Sequence, residues 1–162
     1  MGLDRKEIHE IVKERFGDAV LEDHAELIEP FIVVRPDIIE DLAYFARDDQ
    51  RLRFDLLSMI GGVDYPEKKT IEVIYCLDST VHKHWLIVKA PLPRDNPRVR
   101  TVESVWRTAD WHERETYDLL GVIFEGHHNL LRILCAEDWV GHPLRKDYVM
   151  PETYHGIKNV VY

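Results

Sequence analysis

Cysteine is scarce in this chain of 162 residues: only Cys76 and Cys135 are present, far apart, and neither stands in a C-x-x-C pair. That excludes a disulfide framework, and also an iron–sulfur cluster or structural zinc site, which needs about four thiolate or imidazole ligands; both cysteines read as buried thiols. Long apolar runs are missing too. The longest, such as Phe31 to Val34 and Trp85 to Val88, fall far short of the ~20 residues a membrane-spanning helix requires, so no direct membrane span is expected. Met1-Gly2-Leu3-Asp4-Arg5-Lys6-Glu7 has no apolar stretch leading to a small-residue cleavage site, so a secretory signal is not expected and cytosolic residence is.

Positive charge is in deficit. Twenty-one Lys and Arg against 30 Asp and Glu leave a net charge of −9, which argues against a general binder of nucleic acid or anionic lipid. The basic residues are local, at Arg94, Arg98, Arg100 and Arg107, then Arg132, Arg145 and Lys146, a distribution better suited to an acidic protein surface than to a polyanion. No G-x-S-x-G, G-x-x-x-x-G-K-[ST] or G-x-G-x-x-G occurs, and Gly61-Gly62 is a lone pair, so nucleotide and flavin binding lack support.

What is present is the patterning of an ordinary domain, with 45% hydrophobic and 31% charged residues. Asp4 with Glu7 forms a capping-box signature, Ile8, Ile11, Val12 and Phe16 recur at helical spacing, and Gly17 marks a stop, predicting a helix over 4–16. A strand is expected over 30–34, with another around Ala19 to Leu21; Pro36 then starts a helix whose apolar face is Ile38, Ile39, Leu42, Phe45 and Ala46. Phe54 to Ile60 reads as a strand ending at Gly61-Gly62. Segments 71–77 and 82–90 alternate and form a hairpin, three prolines close the following loop at Pro91-Leu92-Pro93-Arg94-Asp95-Asn96-Pro97, and Arg98 to Val102 fits an edge strand. Asp110 with Glu113 repeats the cap pattern and Gly121 the stop, predicting a helix from Trp111 to Leu120 with Trp111, Glu115, Asp118 and Leu119 on one face and Arg114 paired to Asp118. From Trp139 onward periodicity is lost, which predicts an extended tail. The expected fold class is α+β: a two-layer domain with helices packed on a mixed β-sheet over 1–135, and an extended C-terminal tail over 136–162 lying over a surface.

The densest chemistry lies in Trp111-His112-Glu113-Arg114-Glu115. His112-Glu113 invites the H-E-x-x-H zinc motif, but Thr116 stands where the second histidine belongs. His127 and His128 are adjacent and expected to diverge, so at most one of them would join His142 or His155 around a metal. Glu113, Glu115 and Asp118 offer carboxylates without a nucleophile, and local ion pairing explains them more simply than acid–base catalysis. A metal-dependent hydrolase using His112, His127 or His128 is the rival that elemental analysis would decide. Trp106 and Trp111 divide between core packing and interface anchoring.

The run Trp111-His112-Glu113-Arg114-Glu115-Thr116-Tyr117-Asp118-Leu119-Leu120-Gly121-Val122-Ile123-Phe124-Glu125-Gly126-His127, followed by Leu131-Arg132-Ile133-Leu134, Asp138-Trp139 and Gly141-His142-Pro143-Leu144-Arg145-Lys146-Asp147-Tyr148, closely resembles the signature of the 30-kDa (C-type) subunit family of respiratory NADH:quinone oxidoreductase, complex I. The resemblance is specific from about Val99 to Tyr148. Val149-Met150-Pro151 departs from it, since many relatives place proline directly after the aromatic residue. The resemblance implies a subunit of an NADH:quinone oxidoreductase that has no catalytic residue and binds no cofactor or metal of its own, flavin, iron–sulfur clusters, NADH and quinone being handled by other subunits. It implies a peripheral place on the cytoplasmic side of the membrane, in the hydrophilic arm, against the quinone-site (D-type) and terminal-cluster (B-type) subunits, with the tail over 136–162 docking on these partner subunits. The corresponding subunit of an energy-converting membrane-bound hydrogenase or formate hydrogenlyase is the alternative. Glu113, Arg114, Glu115, Asp118, His142, Pro143, Arg145, Lys146, Asp147 and Tyr148 are the expected signature residues, fixing the fold and meeting partners. Arg145→Glu is expected to weaken assembly and leave the isolated domain folded.

Overall fold

Alternation with period two dominates the middle of the chain, and the computed structural model, which describes residues 2–159, turns it into a five-stranded mixed sheet. Its strands are β1 (Val20–Asp23), β2 (Phe31–Val34), β3 (Leu56–Tyr65), β4 (Thr70–Asp78) and β5 (Trp85–Pro93), in the order β1-β2-β5-β4-β3. The β2–β5 pair is parallel and the other pairs are antiparallel. Along β4 and β5 every second residue is buried: Ile71, Val73, Tyr75 and Leu77, then Leu86, Val88, Ala90 and Leu92. They share one core with Ile8, Ile11 and Val12 of α1 (Arg5–Phe16), with Leu42, Ala43 and Ala46 of α2 (Ile39–Asp48), and with Leu120 of α3 (Ala109–Leu120). The helices therefore cover one face only, the two-layer α+β arrangement expected.

The capping box at Asp4 and Glu7 and the stop at Gly17 are both in place. Pro36 opens a single 3₁₀ turn before α2, whose buried residues are Ile39, Leu42 and Ala46 of the expected apolar face together with Ala43, while Ile38 and Phe45 are half-buried against the same core.

Three strand limits differ from expectation. β3 does not stop at Gly61-Gly62 but runs through it to Tyr65, because a Cβ on Gly62 would stand 2.5 Å from Leu120 Cδ1: glycine there admits α3, it does not break the strand. β5 begins at Trp85 and continues through Pro91 and Pro93. Although β5 is central, β2 pairs only with Ile87 to Lys89, so one side of β5 needs no ladder donor where the prolines stand. The expected edge strand shortens to β6 (Arg98–Arg100), which leaves the main sheet and pairs in parallel with β7 (Ile123–Glu125). Beyond β7 the chain makes turns over α3, then a small hairpin of β8 (Thr153–Tyr154) and β9 (Ile157–Lys158); residues 160–162 of the expected tail lie outside the described residues.

Candidate functional site

A helix leaves its last carbonyl groups without intrahelical donors, and α3 shows where the signature residues are used. Gly121 takes the left-handed conformation (φ +78°) and donates its N–H to Tyr117 O at 2.8 Å. The next three carbonyls are met by residues far along the chain: Asp118 O accepts from His142 Nδ1 at 2.9 Å, Leu119 O from the Leu144 N–H at 3.0 Å, and Leu120 O from Arg145 Nε at 2.7 Å. Burial pushes the His142 imidazole down, which favours the neutral ring donating from Nδ1. Gly121 serves this approach twice, since a Cβ there would also lie 2.6 Å from His142 Nε2. Pro143 is the partly buried link between two of these donors.

The strap continues onto the sheet. Asp64, buried in β3, accepts Arg94 Nε at 2.7 Å, Arg94 Nη2 at 2.9 Å and the Lys146 N–H at 2.9 Å, while Arg94 Nη2 also reaches Asp147 at 2.5 Å. Arg94, with the Lys146 N–H, holds the Asp64 carboxyl below the usual carboxylate range. The Lys146 side chain is exposed, and the Tyr148 ring packs over Gly141, where a Cβ would stand 3.1 Å away.

Asp118 is fully buried and ties the chain beyond β7 to the helix. It accepts from Arg132 Nη1 at 2.7 Å and from the N–H groups of Ile133, Leu134 and Cys135 at 3.1, 2.8 and 2.8 Å. Burial opposes its ionisation, but the three backbone donors and Arg132 prevail and hold the carboxyl at about 2. The expected Arg114–Asp118 pair is therefore not made: Asp118 is taken by Arg132, and Arg114 lies over the Trp111 ring, 5.1 Å from its centroid, donating to Leu131 O at 3.1 Å. Nor do Trp111, Glu115, Asp118 and Leu119 form one open face, because the returning chain covers Asp118 and leaves Trp111 (62% exposed) and Glu115 open. Trp106, in contrast, is core, donating Nε1 to Phe54 O at 2.9 Å.

At the other end the capping box is absent. The helix starts at Ala109, with Thr108 at the cap position making no side-chain cap, and Glu113 turns inward, accepting from the Thr101 hydroxyl at 2.5 Å and the Val102 N–H at 2.8 Å. Burial pushes its carboxyl up to about 7, the two hydrogen bonds only partly opposing.

Beside Glu113, the side chains of Glu103, Asp110, His127 and His128 bring ligand atoms within 4.8 Å of one another. Contrary to expectation the two imidazoles do not diverge: they stack with centroids 5.3 Å apart, since they lie in a turn, not on a regular element. Spacing suits a metal, but the proton inventory opposes one. His127 Nδ1 accepts the Asn129 N–H at 3.0 Å, placing the imidazole proton on Nε2, which donates to Asp110 O at 3.2 Å; a metal needs the Nε2 lone pair with a proton left on Nδ1. His142 caps α3, and His155 meets Asp138 at 2.7 Å, so neither joins the cluster. The two cysteines, expected as buried thiols, are both free and half-buried.

Asp64 and Thr101 were not legible as site residues, although an aspartate inside a strand is a signal in itself, since burial demands a partner for it.

The arrangement defines a class before it defines a member: a small α+β protein whose most distinctive residues close its own last helix and pin the following chain to it. Within that class, the chain belongs to the family described as respiratory-chain NADH dehydrogenase, 30 Kd subunit, which matches residues 32–154. Among curated relatives, the C-type subunit of the NADH-quinone oxidoreductase of Chloroherpeton thalassium is 47% identical over 93% of this chain, which spans 63% of that protein's length. The protein of the same name from Chlorobium phaeobacteroides is 45% identical over 93% of this chain and 92% of its own length. Of solved structures, a chain of the membrane-bound sulfane sulfur reductase, an archaeal respiratory membrane complex, superposes with a TM-score of 0.75 at 27% identity, covering 90% of this chain and 85% of that one. The trypsin-resistant fragment (1-134) of Nqo5 gives 0.63 at 27% identity, covering 76% and 98%. The expected family and fold class are both borne out.

Proposed function

We infer that this chain is a non-catalytic structural subunit of the hydrophilic arm of a proton-translocating NADH:quinone oxidoreductase, placed against the quinone-site (D-type) and terminal-cluster (B-type) subunits on the cytoplasmic side of the membrane. The observation that carries this reading is the combination of family membership with the internal use of the signature. His142, Leu144, Arg145, Asp118 and Glu113 are taken up in capping and burial, which leaves Trp111, Arg114, Leu131, Leu134 and the Leu144 side chain as the exposed apolar and cationic surface around α3. Aromatic and arginine side chains on such a surface are the residue types that dominate binding energy between proteins. Flavin, iron–sulfur clusters, NADH and quinone belong, in this reading, to other subunits, and the segment over 136–159 is both strap and docking element. No helix among the described residues is long and apolar enough to cross a membrane, which agrees with a peripheral position.

Affinity purification of the tagged chain from its own cells tests the reading. Recovery of a flavin-bearing NADH module with D- and B-type subunits is expected, together with an isolated chain showing neither flavin nor cluster absorbance. The superposition on the sulfane sulfur reductase chain supports a second reading, the equivalent subunit of a related membrane complex such as a hydrogenase. Recovery of a hydrogenase module in place of the NADH module would establish that reading instead.

A further inference from the structure

Among the described residues no helix packs on the second face of the main sheet, and that face divides into two halves. An antiparallel sheet with one solvated face ordinarily alternates apolar inward and polar outward. At one end the outward positions obey this, with Glu72 and Lys89 3.5 Å apart. At the other the outward positions are Ile74, Cys76, Trp85 and Ile87, joined by Phe31, Met59 and the exposed Leu27 and Ile28 around a shallow groove of about 990 Å³. The charges around it are Glu29, Asp78, Lys89 and Arg5: Lys89 lies over the Phe31 ring, 3.6 Å from the centroid, and is engaged with Glu72, while Arg5 lies over the Trp85 ring, 5.1 Å from the centroid, and donates to Ile28 O at 3.1 Å, so that Glu29 and Asp78 are the border carboxylates left without an ion pair among the described residues. Burial, and then Asp78 and Glu29, push the Cys76 thiol up.

We propose that this half-face is a second docking surface, separate from the one around α3, and that its occupant is an amphipathic segment of a different polypeptide whose apolar stripe is flanked by Lys or Arg. An apolar floor explains the stripe and an acidic border the flanks. A second copy of this chain is the wrong occupant: a two-fold contact would set the Glu29 and Asp78 borders of two chains with net charge −9 against each other. The anionic surface of a membrane is disfavoured for the same reason. The inference rests on the subunit reading above, which supplies a partner in whose presence it is measured.

Cys76 is the probe. In the isolated full chain N-ethylmaleimide should modify it, and in the purified complex modification, followed at the Cys76 peptide by mass spectrometry, should be slower by at least about tenfold because the half-face is covered. Ile87→Lys, outward and half-buried, should reduce recovery of the chain in the complex severalfold while leaving the melting temperature of the isolated chain within a few degrees. Glu29→Lys with Asp78→Lys should do the same if the flanks are basic. Equal Cys76 labelling free and assembled would overturn the proposal while leaving the subunit reading intact; failure to recover any respiratory complex would instead remove that reading. A dimer of the isolated chain that Ile87→Lys dissociates would also overturn it, as would protection of Cys76 by phosphatidylcholine vesicles alone.

Discussion

The two ends of α3 each bury a carboxylate completely, and the two behave oppositely: Asp118 is held at about 2, Glu113 is pushed up to about 7. Burial opposes ionisation at both. The difference lies in what faces the charge. Asp118 meets three backbone N–H groups and Arg132, whereas Glu113 meets one hydroxyl and one N–H and has Glu103 and Asp110 as neighbours. A buried carboxylate is thus not one kind of object: with donors and a cation it is a structural anion, and with too few donors and like charges nearby it titrates near neutrality.

The largest way to break this comparison is Asp118→Ala. It leaves Arg132 without its carboxylate and three N–H groups without acceptors, and should cost roughly 3–5 kcal/mol, read from urea denaturation of the full chain. The pH dependence of stability separates the two ends by sign. Glu113 ionises near 4.5 when unfolded and about 7 when folded, so its carboxyl contributes a penalty that is absent below 4.5 and complete above 7. That limb should amount to roughly 3 kcal/mol, and Glu113→Gln should flatten it. Asp118 runs the other way, its stabilisation present above 3.8 and lost as pH falls towards 2, a limb of roughly 2 kcal/mol that Asp118→Asn should remove. Next in size, Arg145→Glu should destabilise the isolated chain by about 2 kcal/mol, seen as a lower melting temperature, because it removes a donor from Leu120 O and puts a negative charge at the negative end of a helix. The isolated domain is still expected to fold at that reduced stability. The smallest effect is that of Thr101→Val, which deletes one of two hydrogen bonds to Glu113 and should cost about 1 kcal/mol at pH 8 while raising its pKa further, followed by carboxyl NMR.

Much of the scaffold was legible because it is local. The α1 capping box, the β4–β5 hairpin and the apolar face of α2 are each written within a few residues, in capping chemistry and periodicity. What stayed hidden depends on contacts between distant segments. Glu113 three residues after Asp110 looks like a capping box, and only the position of Thr101 and Val102 shows that its carboxylate is engaged elsewhere. Arg114 and Asp118 have ideal pairing distance on a helix, yet Arg132 wins because it arrives with three backbone donors beside it. Gly61-Gly62 looks like punctuation until Leu120 is seen to press against it. The signature residues were identified as important by resemblance, and their individual tasks came only from the fold.

The strap also sets an order of events during synthesis. The carbonyls at the end of α3 wait for His142, Leu144 and Arg145, which leave the ribosome more than twenty residues after Leu120, so that end of the helix stays frayed while the intervening chain is made. A chain interrupted before Gly141 would leave the last three carbonyls of α3 without His142, Leu144 and Arg145, and Asp64 without the Lys146 N–H. The end of α3 is therefore finished only once the chain has been made through Arg145.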